Sequence, residues 1–124
     1  MPMSFETEWR ELFGLWQKRL LHDDGWEIVI VADSSIGDVR AQAEMNAKSR
    51  KATIRFNPDL KPRNATACHE IVHLLVCHFS QAADDVARTL GEPAADLALC
   101  VLDRRGEELV VVLTARFLAV YGEE

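Results

Sequence analysis

The sequence predicts an α+β fold with an N-terminal helix, a small and mostly antiparallel sheet, and further helical segments in the second half. Three observations carry that expectation. Apolar residues recur at helical intervals near the start, short β-branched runs separated by turn residues occupy the middle, and long apolar stretches with few breakers fill the second half. With 124 residues and 48% hydrophobic content, the chain is expected to form one compact domain over residues 1–124 around a single core.

The first helix is expected over residues 5–21. Phe5, Trp9, Leu12, Phe13, Trp16 and Leu20 fall on one side, charged residues lie between them, and Ser4 supplies an N-cap. His22, Asp23, Asp24 and Gly25 end it in turn chemistry. Residues 26–31 (WEIVIV) read as a strand whose nearly continuous apolar character suggests a central position. After a Ser/Gly/Asp loop, residues 39–45 and 50–56 read as a hairpin around Asn46, Ala47, Lys48 and Ser49. In its second strand Ala52, Ile54 and Phe56 alternate with Lys51, Thr53 and Arg55, which gives one buried and one wet face.

A loop containing Pro58 and Pro62 leads into a helix that Asn64 or Thr66 could cap. Beyond Val76 the pattern suggests a short helix over 80–90, a break at Gly91, Glu92 and Pro93, and a helix over 94–102. A turn at Asp103, Arg104, Arg105 and Gly106 is then expected before a last apolar helix over 107–121.

The helix after the proline loop carries His69, Glu70, Ile71, Val72 and His73, an HExxH motif. Residues four apart lie on the same helical face, about 6 Å apart along the axis, so both imidazoles can reach one divalent cation. Neutral imidazole is a favoured zinc ligand. Glu70 follows the first ligand directly, where its carboxylate can take a proton from water at the open coordination position. Its surroundings are apolar: Glu70 is the only Asp, Glu, Lys or Arg between residues 66 and 76. Burying that carboxylate between two imidazoles without a cation or a proton would cost several kcal/mol, and a bound metal removes the cost. The bland alternative is a buried helix whose histidines hydrogen-bond to backbone carbonyls.

The stretch from Thr66 to Leu75 resembles the extended signature of the zincin metallopeptidases, in which uncharged residues surround the two His and the Glu. The metzincin extension is absent, because position 79 is Phe and His78 falls one place short. Downstream, Glu107 and Glu108 open an apolar segment similar to the glutamate helix of gluzincins. Size and element order look most like the short metallopeptidase-like proteins of phages and mobile elements related to the ImmA/IrrE type, over residues 26–121. The resemblance implies a zincin-like fold, Zn²⁺ held by His69, His73 and an acidic residue, Glu70 as general base, and a protein or peptide substrate. It also implies that the strand before the metal helix, residues 51–56, is an exposed edge that pairs with extended peptide.

Catalytic zinc usually has three protein ligands and one open position, so one acid must come from elsewhere. Glu107 and Glu108 are the leading candidates. Glu108 is preferred because Ala115 and Ala119 lie beneath it on the helical wheel and would permit close approach, whereas Glu107 aligns with Val110, Thr114 and Leu118. Both could instead serve only to stabilise a helix N-terminus through its dipole. Asp84, Asp85, Glu92 and Asp96 are lesser candidates expected on solvated faces. Cys77 shares the stripe of His69 and His73 but lies about 12 Å along the helix from the first ligand, too far to join them. Oxyanion stabilisation could come from His78, Tyr121, His22 or Arg116.

A formal charge of −6 and a pI near 5.2 argue against broad nucleic-acid binding, and with it a metal-dependent nuclease. No secretory leader is evident, and the longest apolar stretch falls short of the about 20 residues of a membrane span. Three cysteines without a CxxC pair suit a reducing compartment, so a cytoplasmic protein is expected. The alternative to a peptidase is a mobile-element interaction protein that keeps the metal and the fold but cleaves little or nothing.

Overall fold

A computed structural model describes residues 4–21, 25–46 and 48–123, apart from the side chains of His78 and Phe79. Helix α1 spans Phe5–Leu20, β1 Glu27–Ala32, β2 Ala41–Asn46, β3 Lys51–Phe56, α2 Asn64–Ala87 and α3 Ala94–Val120, with a short 3₁₀ turn at Ser34–Ile36. The class is α+β.

Helix α1 starts where the sequence places it: the Ser4 hydroxyl accepts from the Thr7 N–H. Its aromatic stripe is a packing face, with Trp9, Phe13 and Trp16 fully buried. Trp9 stacks on Phe13 at 5.6 Å, and both lie against Phe56 of β3. Burying rings of this size contributes about 1.5–3 kcal/mol each, and Ile54, Ile71, Val72, Leu74 and Val110 close the same core. The tryptophan N–H groups also find partners. Trp9 Nε1 donates to the Leu60 carbonyl at 3.0 Å and Trp16 Nε1 to Asn64 Oδ1 at 2.7 Å, which fixes α1 to the loop and helix start beyond β3. The turn residues Asp23 and Asp24 lie outside the described residues.

The sheet order is β1-β3-β2, with β1 parallel and β2 antiparallel to β3. Two expectations change. The sheet is evenly mixed rather than mostly antiparallel, and β3, expected at an exposed edge, is the central strand, while β1 lies at an edge. Apolar continuity in β1 was a poor guide to position, because Val29 faces outward at 55% exposure while Ile28 and Ile30 pack on the core. The alternation in β3 is as expected, with Ala52, Ile54 and Phe56 buried. Asn46 shapes the β2–β3 turn by accepting from the Lys48 and Ser49 N–H groups, and Arg50 takes a left-handed φ of 54°. Ala47 lies outside the described residues.

The second half contains two long helices where four shorter segments were expected. Helix α2 runs unbroken for 24 residues and α3 for 27, so the segments 64–76 and 80–87 are one helix and Asp103 to Gly106 are helical. Packing of α3 along α2 overrides the local turn signal. Gly106, which costs about 1 kcal/mol in a helix interior, faces α2 at a point where an added Cβ would lie 3.9 Å from Ser80 Oγ. Neither Asn64 nor Thr66 caps α2; its N-cap is Arg63, without a side-chain bond. The Asn64 side chain is committed elsewhere, to Trp16 and to Glu123. Among the described residues, no helix is long and apolar enough to cross a membrane.

Candidate metal centre

The proline loop sets where α2 begins. Asn57, 5% exposed, donates through Nδ2 to the Gly37 carbonyl at 2.7 Å and accepts from the Asp59 N–H at 2.9 Å, which holds the chain in its turn after β3. From there α2 carries Ala67, Cys68, Ile71, Val72 and Leu74 into the core. The adjacent face is left for His69 and His73, which are half-buried.

The two rings meet at 77° with their centroids 4.8 Å apart, and their Nε2 atoms are separated by 3.2 Å. Two tetrahedral ligands of zinc with Zn–N near 2.0–2.1 Å sit about 3.3–3.4 Å apart, so the pair is already spaced for a shared ion. The same distance permits one ring N–H to donate to the other ring. Glu107 arrives from α3 with Oε1 3.8 Å from His73 Nε2, and the ligand atoms of His69, His73 and Glu107 all lie within 4.8 Å of one another. Two imidazoles and one carboxylate make a donor set found in catalytic zinc sites, and the Glu107 side chain is 67% exposed, so the face opposite α2 is open to solvent.

The structure brings Glu107, not the preferred Glu108, to the rings. Glu108 instead accepts from Arg105 Nη1 at 2.7 Å on the exposed face of α3. The preference rested on Ala115 and Ala119 facing inward, yet both are exposed, while Val110 and Thr114 are buried. Glu107 precedes Val110 by three residues and Thr114 by seven, and so shares their inward face.

Glu70 is 8% exposed, and its carboxylate accepts the backbone N–H of Ala43 on β2. Burial first, and then the charge of Glu107, pushes its carboxyl from 4.5 up to about 7, against the pull of the Ala43 N–H. Burial, with a smaller push from His69, holds the His73 ring below its ordinary range, while Glu107 acts the other way. A neutral ring is the form that binds metal. The Ala43 contact had no signal in the sequence, because a backbone donor has no residue type. It follows from the β2–β3 register: Arg40 O accepts from Asn57 N, so Gln42 and Glu44 also bond to β3, while Ala41, Ala43 and Met45 direct their backbone groups to the free edge of β2.

Pockets flank the pair. One, between α2 and α3, includes Met45, His73, Cys77 and Glu107; the other is lined by Thr66, His69, Thr114 and Leu118. Cys77 is a free thiol beside the first pocket and is not among the clustered ligands. Of the residues considered for the oxyanion, Tyr121 packs edge-on against Trp16 and under Arg19. On a continuous α3 it lies about 21 Å along the axis from Glu107, and Arg116 about 13 Å. His22 and the His78 side chain lie outside the described residues. Of the lesser acids, Asp84 is half-buried, whereas Asp85, Glu92 and Asp96 are exposed. No protein-family model, curated protein or solved structure matches the chain.

Proposed function

We propose that the chain is a zinc-dependent hydrolase of the compact gluzincin type, a metallopeptidase that cleaves a cytoplasmic protein or peptide. One observation carries this reading: Glu107, 34 residues after the end of the HExxH motif and on another helix, places its carboxylate beside the two histidine rings. A chance HExxH on a buried helix has no reason to gather a third ligand on its open face. The order of elements, with sheet before motif helix and an acid-bearing helix after it, supports the zincin-like comparison.

Zinc, when bound, would acidify water and polarise a carbonyl. His69 and His73 would offer Nε2, and Glu107 one carboxylate oxygen. Glu70 would take a proton from the attacking water on a carboxylate oxygen and later release it to the leaving amine nitrogen. The Ala43 N–H would hold that carboxylate in place for both steps. An extended substrate would pair with the free edge of β2, since β3 is paired on both sides; Ala41 and Met45 turn their backbone groups that way, and the Ala43 N–H between them is taken by Glu70.

The second reading is a zincin-fold interaction protein with little or no catalysis. It is favoured by the placement of Tyr121, which packs against Trp16 and Arg19 and so supplies no donor to the oxyanion. Glu70→Gln separates the two. In zinc-loaded protein incubated with denatured substrates, that variant should keep its zinc and lose about 10²–10⁴-fold in rate. Undiminished cleavage would refute the role of Glu70, and absence of cleavage by the unaltered protein would favour the binder.

A further inference from the structure

The pocket on the His73 side of the centre has a volume of about 280 Å³ and apolar walls from Met45, Val76, Leu102 and Val110. That is just below the roughly 300–1,000 Å³ common for small-molecule and cofactor sites, and suits one long side chain. Gly106 and Ser80 line it from facing helices.

Its charge is one-sided. Asp84, Asp103, Arg105 and Glu107 all line it. The Arg105 guanidinium is met by Glu108 at 2.7 Å, and Glu107 belongs to the ligand cluster. Asp84 and Asp103 are left as acids with no ion pair among the described residues. Their distances from the centre differ. Asp103 lies one turn before Glu107, about 6 Å along α3, and Asp84 lies about 16 Å beyond His73 along α2. A lysine or arginine side chain extends about 6 Å from its Cα, so a residue whose backbone sits at the centre would bring its cation to Asp103 and not to Asp84.

We propose that this pocket selects a substrate with lysine or arginine next to the bond to be cleaved. The aliphatic stem lies along Met45, Val76, Leu102 and Val110, and the cation rests beside Asp103, with Asp84 adding to the field. This assignment rests on the hydrolase reading for its biological meaning, but binding can be tested without turnover.

The probes are capped pentapeptides of alanine with lysine, norleucine or glutamate at the centre. They would be titrated by NMR into zinc-loaded Glu70→Gln protein. Norleucine keeps the stem and removes the charge. Lysine should bind about five-fold tighter than norleucine, the range of a partly exposed ion pair, and glutamate weaker than either. Asp103→Asn should bring lysine down to the norleucine level, and Asp103→Lys should move the preference to glutamate; Asp103 is exposed, so both variants should fold. Equal binding of lysine and norleucine, or a lysine preference that survives Asp103→Asn, overturns the assignment. Cleavage separates the two claims. Glu70-dependent cleavage without basic preference overturns the pocket assignment and leaves the hydrolase, whereas Asp103-dependent lysine binding without any cleavage leaves the pocket and overturns the hydrolase.

Discussion

Replacing Glu70 with Gln should flatten one component of the pH dependence of stability in the metal-free protein. The Glu70 carboxyl is lifted from 4.5 to about 7, first by burial and then by Glu107. A group with a raised folded pKa holds its proton more tightly when folded. Its contribution is therefore complete below 4.5 and is lost as pH rises through about 7. The loss is on the order of 3 kcal/mol, a large share of the 5–15 kcal/mol typical of a domain. His73 works in the opposite sense: its folded pKa is lowered, so its contribution is complete above 6.5 and is lost as pH falls through the lowered value. The unaltered protein carries both effects and the Gln variant only the second, so the difference between their curves isolates Glu70. The assay is urea denaturation of chelator-treated protein at several values between about pH 4 and about pH 8. The Gln variant should gain on the parent by on the order of 3 kcal/mol across that range. Parallel curves would refute the claim that a buried carboxylate is held at a cost, and with it the reason for expecting a cation there.

The remaining predictions concern the third ligand and the loop before α2. Glu107→Gln should weaken zinc binding by about a hundred-fold, one ligand's share of a typical protein–zinc free energy. Glu108→Gln, which disturbs only the contact with Arg105, should change it by less than about three-fold. Competition with a chromophoric chelator measures both, and the reverse ranking would return the ligand role to Glu108. Asn57→Ala removes two hydrogen bonds at a buried position and should cost about 2 kcal/mol in urea denaturation. A change within experimental error would mean that the loop after β3 is not held by that side chain.

The parts of the molecule legible in the sequence were those fixed by local spacing. The Trp9, Phe13 and Trp16 stripe, the Ser4 cap, the alternation in β3 and the meeting of the His69 and His73 rings all follow from the helical and strand repeats. Features set by partners distant in sequence were not legible. Whether β1 or β3 is central depends on which strand receives two neighbours, and an apolar run does not record that. The continuity of α3 through Asp103 to Gly106 depends on its packing along α2, which outweighs the glycine and the charged turn residues. That Glu107 rather than the preferred Glu108 lies beside the rings has a related reason. With the helix beginning at Ala94, its buried side is set by Val110 and Thr114, and small residues at 115 and 119 point to solvent.

Titration of metal-stripped protein with zinc is the most direct test of the shared site at His69, His73 and Glu107. The expected result is saturation at one zinc per chain, abolished in His69→Ala and in His73→Ala. Failure of the unaltered protein to take up zinc, or undiminished uptake when both rings are replaced, would contradict it.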